Sequence, residues 1–106
     1  MSLCVRLVVA VALAAVASTT TARAATHTVT IEGFAFKPQA LEVKAGDTVE
    51  FVNRDILPHT ATAAANAFDS KTINPGGRWS WKAGAPGQYA YECALHPNMK
   101  GVLQVK

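Results

Sequence analysis

The chain has 106 residues, half of them hydrophobic, with eight aromatics and a formal net charge of +3. That length holds one domain at most, which excludes a multidomain enzyme. Seventeen of the hydrophobic residues lie in positions 1–24, leaving about 44% of the other 82, an ordinary globular fraction that excludes a polytopic membrane protein and a disordered chain.

Residues 1–24 read as a secretory signal peptide. Arg6 gives the positive start, Leu7 to Ala17 an unbroken apolar run of eleven, and Ala22-Arg23-Ala24 the small-x-small cleavage pattern. Eleven apolar residues are too few to span a bilayer, which takes about twenty. The expectation is a periplasmic or otherwise exported protein of residues 25–106, with no membrane insertion after cleavage. Its eight Lys and Arg stand against seven Asp and Glu, a net charge of +1. With no basic run or stripe, nucleic-acid binding has no electrostatic footprint. Cys4 leaves with the leader, so Cys93 stands alone. A lone thiol in an oxidising compartment is a liability unless it is buried or holds a metal.

Beyond the leader the hydrophobic period is two. Val29 and Ile31, Leu41 and Val43, Val49 and Phe51, Trp79 and Trp81, Tyr89 and Tyr91, and Leu103 and Val105 each alternate with polar or small residues. Such runs are half-buried strands. Turn signals separate them at Lys37-Pro38, Ala45-Gly46-Asp47, Asn74-Pro75-Gly76-Gly77, Gly84-Ala85-Pro86-Gly87 and His96-Pro97-Asn98. Ala61 to Ala67 has no apolar partner face and reads as loop. Seven or eight short strands predict an all-β, antiparallel sandwich or barrel. The Trp and Tyr residues read as core, with Tyr89 a candidate for a tyrosine-corner hydrogen bond.

The chemistry concentrates near the C-terminus. Cys93, His96 and Met99 stand at a C-x2-H-x2-M spacing between the last two strands, and His59 follows Pro58 at the end of an earlier strand. Loops at one end of a sandwich cluster, so His59 can meet the Cys-His-Met loop. One thiolate, two imidazoles and a thioether are the donor set of copper. Zinc gains little from Met, and calcium or magnesium want oxygen. A thiol nucleophile would need a third orienting group and a cleft that 82 residues of strand hardly offer.

Asn53-Arg54-Asp55-Ile56-Leu57-Pro58-His59 followed by Tyr91-Glu92-Cys93-Ala94-Leu95-His96-Pro97-Asn98-Met99 resembles the type 1 copper site of the cupredoxins. The short ligand loop, the N-x-D-x-x-P-H approach and the run Pro86 to Tyr91 resemble amicyanins in particular. The resemblance implies a Greek-key β-sandwich binding one copper ion through His59, Cys93, His96 and Met99. It implies Asn53 tying the first-histidine loop to the cysteine loop, and the His96 edge as the electron route. It also implies one-electron exchange with redox partners of dehydrogenase, cytochrome or oxidase type, by a monomer with no enzymatic activity. The alternative is a copper carrier that delivers metal to another exported protein.

The chain departs from the pattern at Thr60, where the family usually has Asn, and at Ala94-Leu95, where amicyanins carry Pro before the histidine. The Thr60 N–H can still reach the Cys93 sulfur, and a hydroxyl replaces the Asn brace or the brace is lost. Ile56, Leu57, Pro58, Ala94, Leu95 and Pro97 are expected around the His96 edge, with Arg54 and Lys100 at the rim favouring an acidic partner. His27 has two readings. One is a plain first-strand residue. The other, if cleavage follows Ala24, is the third residue of an amine–amide–imidazole set of the square-planar kind that Cu(II) takes.

Overall fold

The computed structural model describes residues 23–106. The leader therefore lies outside the described residues, except for its last two positions. The alternating runs fold as strands where the pattern places them. In chain order the elements are β1 (Thr26–Glu32), β2 (Ala35–Lys37), β3 (Ala40–Val43), β4 (Thr48–Asn53), β5 (Thr62–Ala63), a 3-10 turn (Ala64–Asn66), β6 (Arg78–Lys82), β7 (Gly87–Cys93) and β8 (His96–Val105). The Ala-rich stretch expected as loop thus holds a two-residue strand and a single turn. Backbone pairing of Thr62 and Ala63 with Glu92 and Tyr91 decides this, and local pattern carries no trace of it.

Two four-stranded sheets form, in the orders β2-β1-β4-β6 and β3-β8-β7-β5. An antiparallel sandwich was expected, but two pairs are parallel: β1 with β4 and β3 with β8. The reason is connectivity. After the β1–β2 hairpin the chain crosses to the second sheet for β3, then returns to lay β4 beside β1. Alternation reports which face is buried, not strand direction.

The core lies between the sheets. Val29 and Ile31 of β1, Val49 and Phe51 of β4, Tyr91 and Cys93 of β7, and Leu103 and Val105 of β8 all point into it. Phe51 packs on Phe36, Phe68, Trp79 and Tyr91, with ring centroids 5.4–6.4 Å apart. Trp79, Trp81 and Tyr89 are half-buried and close one side of this cluster. The Tyr89 hydroxyl donates to the Ala85 carbonyl at 2.5 Å, the corner bond expected of it. Tyr91 lies flat over Gly101, where a Cβ would come within 2.2 Å of its ring. Only glycine fits beneath it, so that residue sets how closely β7 and β8 pack.

Three connections meet at one end of the sandwich: the β1–β2 turn, the segment after β4, and the β7–β8 turn. The candidate ligands lie here, His59 on the segment after β4 and Cys93, His96 and Met99 on the strand ends that flank the β7–β8 turn.

Candidate metal centre

The C-x2-H spacing becomes a two-residue hairpin. Cys93 ends β7 and pairs across the sheet with His96, the first residue of β8, with Ala94-Leu95 as the turn between them. Cross-strand partners share a face, so thiol and imidazole lie side by side. The next pair is Glu92 with Lys100. One step on β7 therefore corresponds to four on β8, and Pro97, Asn98 and Met99 form the surplus. That irregularity resets the alternation, so Met99, only 4% exposed, turns inward to the core.

His59 arrives from the first sheet's side. It exchanges two backbone hydrogen bonds with Ile73, 3.2 and 2.7 Å long. Pro58 ahead of it keeps Leu57 extended. The Asn53 amide donates to the carbonyls of both Leu57 and Ile73 at 2.9 Å, and its oxygen accepts the Asp55 N–H at 2.9 Å. Asn53 thus locks the His59 loop onto the Ile73 segment. It was expected to reach the cysteine loop. It does not, because its amide is saturated on its own side.

Thr60 makes the link to the cysteine loop. Its N–H donates to Cys93 Sγ at 3.3 Å, and its hydroxyl oxygen accepts the Ala94 N–H at 2.8 Å. The same hydroxyl meets the Thr62 hydroxyl at 2.9 Å. A hydroxyl has taken over the bracing that the family gives to Asn. The N–H points at the sulfur that would bind a metal.

The three strong donors converge. His59 Nδ1 is 3.7 Å and His96 Nδ1 3.8 Å from Cys93 Sγ, and all three atoms lie within 4.8 Å of one another. A first-row metal bonded at about 2.0 Å to nitrogen and about 2.3 Å to sulfur, at about 120°, sets N and S about 3.7 Å apart. The spacing therefore fits one ion in a trigonal His2Cys plane. Cys93 and His59 are fully buried, whereas His96 is half-exposed.

Two further residues complete the surroundings, and neither had a role from sequence. Asp55 Oδ2 lies 2.9 Å from His59 Nε2 and also accepts the Phe34 N–H at 3.1 Å. The carboxyl is held below its ordinary value, first by the Phe34 N–H and then by the His59 ring, so it is an acceptor. His59 Nε2 must then carry the hydrogen, leaving the Nδ1 lone pair aimed at the ligand position. Phe34 sits edge-on to both imidazoles, with centroids 5.6 Å from His59 and 5.2 Å from His96. A signal for Phe34 existed: Gly33-Phe34 between two apolar runs is a hairpin turn with an aromatic where Gly or Asn belongs.

His27, by contrast, lies at the far end of β1. Its Nε2 is 2.9 Å from Asp47 Oδ2, and Asp47 also accepts the Ala25 and Lys44 N–H groups at 2.9 and 3.0 Å. These three bonds, the His27 one strongest, hold the Asp47 carboxyl at about 2. His27 is a first-strand residue, bonded through its ring and paired with Val49 in the sheet. Wrapping Cu(II) would require peeling it out.

A profile of the cupredoxin-like domain matches residues 5–105. The chain belongs to the cupredoxin-like family. It is 29% identical over 102 residues to amicyanin-alpha of Methylorubrum extorquens, covering 92% of this chain and 86% of that one. It is 34% identical over 82 residues to a plastocyanin of Prochlorothrix hollandica, covering 67% of this chain and 63% of the relative. The fold superposes on an amicyanin variant in its Cu(I) form with a TM-score of 0.73 at 27% identity, covering 76% of this chain and 82% of that one. It also superposes, at a TM-score of 0.72 and 33% identity, on 22% of the copper-containing nitrite reductase of Thermus scotoductus, covering 76% of this chain. Donor chemistry and family agree on copper as the cofactor.

Proposed function

We propose that this protein is an exported type 1 copper protein that passes single electrons between redox partners. His59, Cys93, His96 and Met99 would hold the copper ion. The observation that carries the reading is the three-donor cluster at 3.7–3.8 Å, with the Thr60 N–H on the sulfur. Bound copper supplies a Cu(II)/Cu(I) couple. The protein's part is to hold the donors still. Asn53 fixes the His59 loop, Thr60 fixes the Cys93 turn, and Asp55 fixes the His59 tautomer. A site whose ligands cannot relax toward either oxidation state's preferred geometry needs little rearrangement on electron exchange. Four protein donors leave no position for a substrate, which argues for a carrier of electrons over an enzyme.

His96 is the half-exposed ligand, and apolar side chains surround its end of the molecule. Phe34, Ile56, Leu57 and Leu95 are 49, 87, 40 and 53% exposed. A patch of this kind fits transient docking of a redox protein at the His96 edge. Plastocyanin and amicyanin relatives support electron transfer as the role. Export rests on the leader, residues 1–24.

The test is Cu(II) titration of the purified protein, read by visible absorption and EPR. An intense thiolate-to-copper band at one equivalent, absent in Cys93→Ser, is expected. A weak d–d band would sink the proposal. Rapid loss of Cu(I) to a competing apo-protein, with the band otherwise intact, would give the carrier reading instead.

A further inference from the structure

The β1–β2 turn has an unusual composition. Gly33 and Phe34 are its two central residues, and both have positive φ, 60° and 56°. Hairpins of this type place Gly, Asn or Asp at such positions. A bulky aromatic there is a true outlier, and it persists only where its surroundings enforce it. The ring gains little from burial in return, since Phe34 is 49% exposed. Folding alone gives no reason for an aromatic at this point.

The surroundings are the metal centre. The Phe34 N–H is held by Asp55 Oδ2, the same oxygen that holds His59 Nε2. The ring meets both imidazoles edge-on, at interplanar angles of 88° and 84°. It lines the hollow beside His96 together with Leu95, Pro97, Asn98 and Met99. His96 has no hydrogen-bond partner at Nε2 among the described residues, so no polar contact fixes its ring as Asp55 fixes His59. Edge-to-face contact with an aromatic supplies a nonpolar equivalent.

We propose that Phe34 is a positioning residue of the copper site, held in a strained turn so that its ring restrains His96 and keeps water from the mouth of the site. The inference rests on the ligand assignment above. The apolar cover disfavours the more highly charged oxidised state, so it raises the potential. It also slows the departure of the one ligand that solvent can approach.

Phe34→Gly tests this, because glycine accepts the positive φ without strain. The apo variant should unfold at the same temperature as wild type or higher, which a residue kept for stability would not allow. In the apo protein, NMR should show the His59 and His96 ring protons shifted and the His96 signals broadened. In the copper-loaded variant the potential should fall, and copper loss to a chelator should speed up about tenfold or more. Phe34→Leu, which keeps apolar bulk without the ring, should fall between the two. A potential unchanged from wild type with copper loss within twofold would overturn the proposal, as would unmoved histidine signals or a marked loss of apo stability. If the wild type itself forms no thiolate–copper band, the ligand assignment fails, and the apo NMR arm alone decides whether Phe34 restrains His96.

Discussion

Thr60 is one of two places where this chain departs from the pattern it resembles, and its hydroxyl links the His59 loop to the β7–β8 turn. Thr60→Val keeps shape and volume and removes only the hydroxyl. Two contacts go: the 2.8 Å bond from Ala94 N–H and the 2.9 Å bond with Thr62. Each is worth about 0.5–1.5 kcal/mol net. The lower end applies, because Ala94 is exposed and finds water, and Thr62 keeps Asp69 at 3.3 Å. The total is about 1 kcal/mol. For a domain of this size that lowers Tm by about 4–8 °C. The Thr60 N–H to Cys93 Sγ bond is backbone and survives, so the thiolate–copper band should persist. The assay is thermal unfolding of the apo protein with hydrogen exchange at Ala94. Exchange should quicken about fivefold in Thr60→Val and hold in Thr60→Ser, which loses packing but keeps the bond. An Ala94 amide as protected in Thr60→Val as in wild type would refute the bracing role.

Asp55→Asn removes the charge that fixes the His59 tautomer. Copper affinity, measured by competition with a chelator, should fall about 10-fold to 100-fold. Equal affinity would mean that the carboxylate only shapes the loop. The Asp47 carboxyl, lowered from 3.8 to about 2, predicts an acid limb of stability. A depressed carboxylate contributes in full above its unfolded value and loses that contribution as pH falls through its folded value. Urea midpoints of the apo protein should therefore fall from about pH 4 to about pH 2, and Asp47→Asn should flatten that limb. Parallel limbs in the two proteins would contradict the assignment.

Much of this was legible because it rests on spacing. A two-residue alternation has one structural solution, a strand with one buried face, so β1, β3, β4, β6, β7 and β8 could be read from Val29 to Val105. The ligand set was legible because its residue types have a narrow chemistry, but the turn was expected at His96-Pro97-Asn98, whereas Ala94-Leu95 form it and β8 starts at His96. Strand direction was not legible, since alternation is the same along parallel and antiparallel neighbours. Nor were the supporting contacts. Asn53 faces Ile73, twenty residues away, and Thr60 faces Ala94, thirty-four away, and the choice between them depends on which loop lies within reach of a short side chain.

The sequence by itself determined the donor types, the strand pattern and therefore the metal. Only the tertiary structure decided that Thr60 braces the site, that Asp55 sets the His59 tautomer and that Phe34 covers His96. The physical reason is range. Covalent spacing fixes neighbours within a turn or a strand, whereas a hydrogen bond or ring contact between loops exists only once two sheets have packed and brought their ends together.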